Sequence, residues 1–467
     1  MASESSLAAE RLYNDPRVAQ AKELLLAAVA DHQKELAEVR GPNPALAADY
    51  KVLLDQFGQH RGGNTFFPYL GSGIGNGSYV EIADGSVKLD MITGIGVHGY
   101  GHSHPLIVEA GIDAAISDTV MQGNLQQNTN SCDLSKLLVD TACETGAELK
   151  HCFLTTSGAM ANENSLKMAF QHNHPANRVI AFSHCFAGRT LALAQVTDKA
   201  KYRVGLPDTI NVDYIPFFDQ DDPQRSTEIA VSHLKYHIDR HPGKHAALWM
   251  ELIQGEGGYY PGDQKFFKAL IEVARESNIA VIADEVQTFS RTTRAFAFQH
   301  FGLDKLVDIV TIGKFSQLCA TLFTEQYAPK SGLISQTFTG STGAIFAAHA
   351  MLKGLIDNGH FGENGKNVQL HNHFVKGLKR VAEKHPNSIS GPHGIGGMVA
   401  LTPFDGSADV ARDMVKRMYD HGLMSFMAGG NPSRVRFLMP LGCVTEKDID
   451  TACDIICLLY TSPSPRD

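Results

Sequence analysis

Short apolar segments alternate with helical patterns through the middle of the chain, and this alternation limits the fold more than any other feature of the sequence. The segments are rich in β-branched residues and have the usual length of a buried strand. Six of them lie at residues 152–157, 178–184, 211–217, 247–253, 280–286 and 308–313. Helical patterns lie between several of these segments, for example at 161–173 and 263–277. The alternation predicts a mostly parallel sheet that is covered by helices on both faces.

The patterns on either side of this region divide the chain into four parts. Residues 1–95 carry helical patterns followed by a hairpin, and we assign them to part of a small domain. The alternating patterns predict a large domain at 96–355, and two strands with their helices predict the rest of the small α/β domain at 356–459. Residues 460–467 contain two prolines and two serines, which should end the preceding helix, and we expect a disordered tail there.

A run of alternating glycines at 71–77 admits two interpretations. A dinucleotide-binding loop would need a strand before the run and a helix after it. Two short strand-like runs follow instead, joined by Ala83-Asp84-Gly85, which is a hairpin signal. We therefore expect a flexible loop and then a hairpin, and a nicotinamide-dependent dehydrogenase is disfavoured.

Charge, hydropathy and cysteine content narrow the possible partners. The chain has 467 residues and a formal net charge of −9, so it lacks the basic surplus with which proteins neutralise nucleic acid. The sequence has no apolar run long enough to span a membrane, and its first residues lack the apolar core of a signal peptide. Eight scattered cysteines without a CxxC motif favour reduced thiols. We expect a cytoplasmic protein without a nucleic-acid or membrane partner.

Two predicted strands carry a charged side chain at or near their C-terminal ends, which is the edge where open parallel sheets bind ligands. Asp284 ends the first of these strands and Lys314 follows the second. Each alone could be an ordinary surface charge. A buried lysine that faces a buried aspartate is costly, however, unless a group lies between them. Pyridoxal 5′-phosphate (PLP) offers an aldehyde to the lysine and a basic ring nitrogen to the aspartate.

The sequence around these two residues resembles a known family. The segments IADEVQT, RAFAFQHFG and DIVTIGK are similar, in order and spacing, to the core signature of the class III PLP-dependent aminotransferases, the ornithine, acetylornithine and 4-aminobutyrate type. The resemblance extends from about Gly71 to about Ile456. It implies a PLP-dependent transferase of fold type I, with a mostly parallel central sheet in a large domain and a smaller α/β domain.

The resemblance also implies how each residue would meet the cofactor. Lys314 would form the internal Schiff base and, once freed, would act as general base and acid. Asp284 would face the pyridine nitrogen, and the ring of Phe186 would stack on the pyridine. The other implied contacts are Ser157, Gly158 and Ala159 at the phosphate, Val286 and Gln287 at the ring and its 3-hydroxyl, and Thr342 at the phosphate of the neighbouring subunit's cofactor.

Four further residues are implied to bind substrate. Arg189 and Arg436 would each meet a substrate carboxylate, because guanidinium groups bind carboxylates through two hydrogen bonds. Glu256 would gate an arginine between two substrates, and Glu251 would line the site. Arg434 lies on the same face of its strand as Arg436, so the choice between the two arginines rests on the resemblance.

The chain departs from the family pattern in three places. Met160 stands where the family commonly has glutamate, FSQLCATLFT replaces a glycine-containing continuation after Lys314, and the segment at Thr342 lacks an Asn-Pro pair. Ser341 or Thr342 could equally serve as a helix N-cap. Three nearby histidines, His98, His102 and His104, could suggest a metal, but we interpret them as local hydrogen-bonding residues and expect no metal site.

The implied reaction is a ping-pong transfer of an amino group from an amino acid or ω-amine donor to a 2-oxo acid, with 2-oxoglutarate as the expected acceptor. The implied assembly is a homodimer or a dimer of dimers. Two alternatives stay open from the sequence. One is an aminomutase, racemase or decarboxylase on the same fold, and the other is a PLP-binding homologue with little activity.

Overall fold

The computed structural model describes residues 7–119 and 123–461, and its strands form four sheets. In chain order the strands are β1 Gly71–Asn76, β2 Tyr79–Ile82, β3 Val87–Asp90, β4 Leu149–Thr155, β5 Arg178–Phe182, β6 Asn211–Ile215, β7 His245–Glu251, β8 Ile253–Gln254, β9 Tyr260–Pro261, β10 Ala280–Glu285, β11 Ile309–Ile312, β12 Cys319–Thr324, β13 Ile389–His393, β14 Met398–Pro403, β15 Leu423–Met424, β16 Phe426–Gly429 and β17 Ser433–Leu438.

Fifteen α-helical segments lie in the described residues, together with four short 3-10 turns. The helices are α1 Ala8–Tyr13, α2 Pro16–Gln33, α3 Ala47–Arg61, α4 Thr93–Gly96, α5 Pro105–Ala115, α6 Thr129–Cys143, α7 Gly158–His172, α8 Leu193–Val196, α9 Pro223–Arg240, α10 Gln264–Glu276, α11 Ala297–His300, α12 Thr342–Asp357, α13 Lys366–Lys384, α14 Ala408–Asp420 and α15 Glu446–Thr461. The 3-10 turns are Lys34–Leu36, Ala200–Tyr202, Lys314–Ser316 and Glu325–Tyr327. None of the described helices combines the length and apolar character that a membrane crossing requires.

The central sheet has seven strands in the order β4-β12-β11-β10-β7-β5-β6. Neighbouring strands from β11 to β6 pair in parallel, whereas β12 runs antiparallel to both β11 and β4. All six strands predicted from the sequence are present, with ends that differ by a few residues. The prediction missed β12, an apolar strand that begins only five residues after Lys314. The parallel pairing brings the carboxyl ends of β7, β10 and β11 together.

Two smaller four-stranded sheets contain strands from the C-terminal part of the chain. One has the order β1-β2-β3-β15, so the N-terminal hairpin pairs with a strand from the C-terminal part. The other is antiparallel, with the order β13-β14-β17-β16. The domain boundaries at residues 95, 355 and 459 stay a prediction.

The buried apolar side chains form two principal clusters besides a smaller one. The first packs against one face of the central sheet and includes Ile180 and Leu248, whereas the smaller one packs against the other face and includes Trp249. The second packs against one face of the antiparallel sheet and includes Phe374 and Phe437. Phe315 directly follows Lys314 in the chain but belongs to the second cluster. The turn after β11 therefore reaches from the edge of the central sheet into a different core.

The structure corrects the interpretation of the glycine run at 71–77. These residues form β1, which pairs with β2 through Gly75 and Val80. A Cβ atom at Gly75 would lie 2.4 Å from the Cβ atom of His102 and 2.4 Å from the carbonyl oxygen of Tyr79. Glycine is needed at this position for close packing, and the expectation of a flexible loop is wrong.

The end of the chain differs from the predicted tail. Helix α15 continues through Tyr460 and Thr461, so the helix does not stop where the tail was expected to begin. The ring of Tyr460 packs against Phe404, with ring centroids 5.3 Å apart, and this contact holds the end of the helix against the rest of the protein. The remainder of the predicted tail, 462–467, lies outside the described residues.

A charged network closes the edge of the central sheet opposite the site. Arg178 donates from Nε and Nη2 to the two carboxylate oxygens of Asp213, each at 2.7 Å, and His245 Nε2 lies 2.8 Å from Oδ2. Burial raises the pKa of Asp213, but Arg178 and His245 outweigh burial and lower it to about 2. Burial lowers the pKa of His245, which is therefore neutral at pH 7.

We expect Asp213→Asn to lower the thermal unfolding midpoint by roughly 2 °C at pH 7, because the variant loses about 2 kcal/mol of charge interaction. The depressed pKa of Asp213 stabilises the fold above about pH 4, and this stability is lost as the pH falls towards 2. The difference between wild type and variant should thus shrink below pH 4. Thermal unfolding between pH 3 and 7, with the exposed Asp239→Asn as control, checks this; a pH-independent difference would contradict it.

Candidate active site

A cavity of about 340 Å³ lies at the carboxyl ends of β7, β10 and β11. Ten of the thirteen residues predicted for the site line it. They are Gly158, Ala159, Phe186, Arg189, Glu251, Glu256, Asp284, Val286, Gln287 and Lys314. The residues come from five separate segments of the sequence, and the parallel strand order brings those segments to one edge.

Asp284 is the buried acid of this cavity. It pairs in register with Glu251 of β7 and Thr311 of β11. Its Oδ1 accepts a hydrogen bond from the Val286 N–H at 2.9 Å, and its Oδ2 accepts one from Asn162 Nδ2 at 2.8 Å. Burial raises the pKa of Asp284 to about 6, although these hydrogen bonds oppose the shift. A positive charge beside Asp284 would therefore be strongly stabilised.

Lys314 begins the 3-10 turn after β11, with a backbone φ of +51°. This is the left-handed region, which side chains other than glycine rarely adopt. Burial lowers the pKa of the Lys314 ammonium, while Glu256, Asp284 and Glu251 oppose that shift. A lysine with a lowered pKa is more often neutral at pH 7 and is then a nucleophile or a base.

The N-terminus of α7 faces the same cavity. Ser157 caps the helix, since its hydroxyl accepts a hydrogen bond from the Met160 N–H at 3.2 Å. A Cβ atom at Gly158 would lie 2.6 Å from Cγ1 of Val286, so only glycine allows this close approach. The free N–H groups of a helix N-terminus bind anions such as phosphate. Gly158 and Ala159 line the cavity, whereas Ser157 does not.

Glu251 joins two loops at the wall of the cavity. Its carboxylate accepts hydrogen bonds from the Phe186 N–H at 2.9 Å and from the Gly255 N–H at 3.2 Å. Burial raises the pKa of Glu251 to about 8, and the nearby Asp284 adds to the shift. Phe186 is thus held in place through its backbone, with its ring half-buried beside the cavity.

Arg436 forms an ion pair with Glu256. Their closest N–O distance is 2.7 Å, and the Arg436 side chain is 1% exposed. Burial raises the pKa of Glu256, but Arg436 and Lys314 outweigh burial, so the net shift is downward. Arg434 points elsewhere: its Nη1 donates to the Gly258 carbonyl at 2.6 Å, and its guanidinium lies 3.9 Å from the ring centroid of Tyr260. The geometry favours Arg436 as the arginine of the site.

Arg189 occupies an exposed position on the wall of the cavity. Its guanidinium carbon lies 4.4 Å from the ring centroid of Tyr202, and Nη2 donates to the Tyr202 hydroxyl at 3.4 Å. Cation–π contact of this kind restrains a flexible side chain without neutralising its charge. Arg189 is therefore available to an anionic ligand.

Thr342 lies outside the cavity of its own chain. It is the first residue of α12, and its hydroxyl donates to the carbonyl oxygen of Asp118 at 3.1 Å. The N-cap is Ser341, whose hydroxyl accepts from the Ala344 N–H at 3.2 Å. Of the two capping residues that the sequence allowed, the structure selects Ser341.

Asn162 is the principal site residue that the sequence analysis missed. It lies one helical turn after Gly158, and its amide donates to Asp284 and to the Ala187 carbonyl at 2.7 Å. A polar residue on the buried face of α7, in register with Gly158, was the available signal. Asn162 now explains how the side chain of Asp284 is oriented.

The three predicted histidines make local contacts. His102 Nε2 lies 2.9 Å from Oδ2 of the buried Asp90, and His104 Nδ1 accepts a hydrogen bond from the Leu106 N–H at the start of α5. The rings of His98 and His102 lie 4.6 Å apart. Across residues 7–119 and 123–461, no three His, Cys, Asp or Glu side chains are grouped to hold a metal ion.

Comparison with known proteins assigns the family. The family described as aminotransferase class-III matches residues 68–459. The chain belongs to the class III aminotransferases. Acetylornithine aminotransferase from Methanocaldococcus jannaschii is 31% identical over 404 residues, which cover 83% of this chain and 92% of the relative. The enzyme of the same name from Archaeoglobus fulgidus is 30% identical, covering 82% of this chain and 93% of that protein.

Solved structures agree on the fold. Lysine aminotransferase from M. tuberculosis superposes with a TM-score of 0.72 at 24% identity, covering 81% of this chain and 92% of that one. Ornithine aminotransferase from Toxoplasma gondii superposes with a TM-score of 0.72 at 23% identity, covering 87% of this chain and 94% of that one. The chain is a PLP-dependent aminotransferase of fold type I, which acts on small-molecule amino donors and keto acids. The family, fold class and cofactor expected from the sequence are confirmed.

The residues of the cavity fit PLP. Both oxygens of Asp284 accept from uncharged N–H groups, so a protonated ring nitrogen would be the cation in direct contact with the carboxylate. The N-terminus of α7 at Gly158 and Ala159 would hold the phosphate. Phe186 and Val286 would cover the ring, and Lys314 would meet the aldehyde.

We expect Asn162→Ala to weaken PLP binding about 10-fold, because Asp284 loses a hydrogen bond that favours its charged form. Fluorescence titration of the apoprotein with PLP measures the dissociation constant. Asn164→Ala is the matched control, since Asn164 is equally buried on the same helix. Equal affinities for wild type and Asn162→Ala would show that Asn162 does not orient Asp284.

Proposed function

We propose that the chain transfers the amino group of an ω-amino donor, such as ornithine, acetylornithine or 4-aminobutyrate, to 2-oxoglutarate by a ping-pong mechanism. The observation that carries the proposal is the Glu256–Arg436 ion pair beside Lys314. A carboxylate-binding arginine that is covered by an acid of its own chain suits an enzyme that must accept two different substrates in turn. The names of the relatives from Methanocaldococcus jannaschii and Archaeoglobus fulgidus support a donor of this class.

We assign the chemical steps to three side chains. PLP, when bound, supplies an electron-accepting ring that stabilises negative charge on the substrate carbon. Asp284 keeps the ring nitrogen protonated, since its carboxylate is buried and oriented by Asn162. Lys314 first holds the cofactor and then moves a proton to or from the reacting carbon, for which its lowered pKa suits it.

The two arginines would divide substrate recognition between them. Arg189 is exposed and has no acid across from it in the pairs described, so it can bind a carboxylate of either substrate. Arg436 is paired with Glu256 while an ω-amine occupies the cavity, because such a donor brings no carboxylate next to the reacting carbon. When glutamate or 2-oxoglutarate binds, Glu256 would move aside and Arg436 would bind the α-carboxylate.

We further propose that the protein forms a homodimer or a dimer of dimers and that it is cytoplasmic. Thr342 lies outside its own cavity, which supports a role at the cofactor phosphate of a neighbouring subunit. All eight cysteines are free thiols, which supports a reducing compartment.

The first test is the visible spectrum of the protein purified with PLP. We expect an absorption band that requires Lys314, that is lost on adding one of the candidate amines, and that returns with 2-oxoglutarate. Lys314→Ala, measured alongside, should never show the band. These three results together would establish amino transfer in two halves and would identify the donor.

Other outcomes of the same experiment are informative. A band that forms but responds to no amine would favour a PLP-binding homologue with little activity. Conversion of a single substrate without an oxo acid would indicate an aminomutase, racemase or decarboxylase. If wild type and Lys314→Ala have the same spectrum, Lys314 is not the PLP lysine.

A second test removes the acid that covers Arg436. In Glu256→Ala the guanidinium of Arg436 should be free in both half-reactions. The kcat/KM value for glutamate should therefore rise relative to that for the ω-amine donor. We expect the ratio of the two kcat/KM values to change about 10-fold or more in favour of glutamate, measured by stopped-flow half-reactions. Arg434→Gln, on the same strand, should leave the ratio unchanged. An unchanged ratio in Glu256→Ala would argue against the switching role of Glu256.

A further inference from the structure

We propose that Phe315 is a positioning residue that fixes the turn carrying Lys314 and ties it to the core of the C-terminal part of the chain. The proposal rests on the proposed function in one respect, which is that Lys314 is the lysine that meets PLP. Phe315 occupies the stretch after Lys314 where the sequence departs from the glycine-containing pattern of the family. The structure provides a reason for a large aromatic ring at this position.

The backbone around Phe315 is held in an unfavourable conformation. Lys314, the first residue of the 3-10 turn, has φ +51°, and Gln317, which directly follows the turn, has φ +57°. Both residues lie in the left-handed region. Non-glycine residues occupy this region at a cost of about 1 kcal/mol or more each, and they do so only where surrounding contacts enforce it. Contacts of the residues between Lys314 and Gln317, namely Phe315 and Ser316, are therefore needed to hold the turn in this conformation.

The ring of Phe315 fills a slot shaped for it. The residue is 2% exposed. On one side the ring lies against Gly99, where an added Cβ atom would come within 2.5–2.7 Å of three ring carbons. The guanidinium of Arg291 lies 4.9 Å from the ring centroid. The slot accepts Phe315 only because residue 99 is glycine.

Arg291 is itself fixed by carbonyl groups from three separate segments. It donates to the carbonyl oxygens of Gly96 at 2.5 Å, Gln287 at 3.1 Å and Met439 at 3.5 Å. Burial lowers the pKa of Arg291 to about 10, so the side chain stays charged at pH 7. A charged, immobile guanidinium makes a cation–π contact that resists displacement of the ring.

The apolar neighbours of Phe315 belong to the second hydrophobic cluster, together with Tyr100, Met351, Phe374 and Phe437. Lys314, in contrast, follows a strand of the central sheet. The position of the lysine thus depends on the packing of a core other than the one that holds Asp284. A shift of about 1 Å at a catalytic group can reduce the rate on the order of 100-fold, so the anchor is placed where its loss has a large effect.

The experiment compares Phe315→Ala and Phe315→Leu with Phe374→Ala, which removes an equally buried ring from the same cluster away from the turn. Each protein is loaded with PLP, and the pH midpoint of its Lys314-dependent visible absorption is measured with the melting temperature, kcat and KM. The midpoint needs no substrate. Lys314→Ala shows separately whether the PLP lysine is correctly assigned.

We expect Phe315→Ala to move the midpoint by about half a pH unit or more and to lower kcat about 10- to 100-fold, with KM changed less than about threefold. The pH midpoint and kcat of Phe315→Leu should lie between those of wild type and Phe315→Ala. Phe374→Ala should lower the melting temperature as much as Phe315→Ala while leaving the midpoint in place.

A size-exchange pair adds an independent result that does not depend on the stability of the alanine variant. Gly99→Ala should also move the midpoint, because the new methyl group would displace the Phe315 ring. The double variant Gly99→Ala/Phe315→Leu should return towards the behaviour of Phe315→Leu alone. If Phe315→Ala and Phe374→Ala have the same midpoint and kcat, or if Gly99→Ala has no effect, Phe315 is only a core residue and the proposal is wrong.

Discussion

The active edge of this protein depends on the burial of charge at the ends of three neighbouring strands. Asp284 and Glu251 are direct cross-strand neighbours, and burial raises the pKa values of their carboxyl groups to about 6 and about 8. With a pKa of about 8, Glu251 is mostly protonated at pH 7, which reduces its repulsion of Asp284. Lys314 and the Glu256–Arg436 pair lie beside the two acids. A protonated ring nitrogen held next to Asp284 would add a positive charge to this balance. A bound cofactor would then stabilise the fold as well as supply the chemistry, because it would offset the cost of the buried charges.

The site is assembled from two cores. Asp284 and Glu251 lie at the ends of strands of the central sheet, and Lys314 follows another of its strands. Arg436 lies on β17 of the antiparallel sheet, and Phe315 belongs to the apolar cluster that packs against that sheet. The Glu256–Arg436 ion pair consequently bridges the two parts of the structure. The buried ion pair and the packing of Phe315 both lie where the two cores meet, so the positions of Arg436 and Lys314 depend on that contact.

The features that could be predicted from the sequence are those that local sequence patterns determine. The six strands of the central sheet, the charged residues at their ends and the hairpin after the glycine run all follow from periodicity, turn residues and the family resemblance. The prediction failed where the deciding contact lies far along the chain. The glycines of β1 looked flexible because their close neighbour, His102, is remote in sequence. Asn162 escaped notice because its partner Asp284 is 122 positions away. Strand β12 was missed because the stretch after Lys314 was compared only with a glycine pattern.

The cationic side chains at the cavity attract an anionic ligand, whereas the net charge of the whole protein repels it. The formal net charge of −9 opposes anionic substrates at long range. At physiological ionic strength, exposed charges are screened over about 8 Å, so the net charge acts weakly on a substrate that has reached the cavity. At the cavity wall, screening is reduced and the guanidinium of Arg189 is the nearest cation to an entering anion. The guanidinium of Arg436 is paired with Glu256 at 2.7 Å. A cation at the cavity wall can therefore attract a carboxylate locally even though the net charge of the chain is negative.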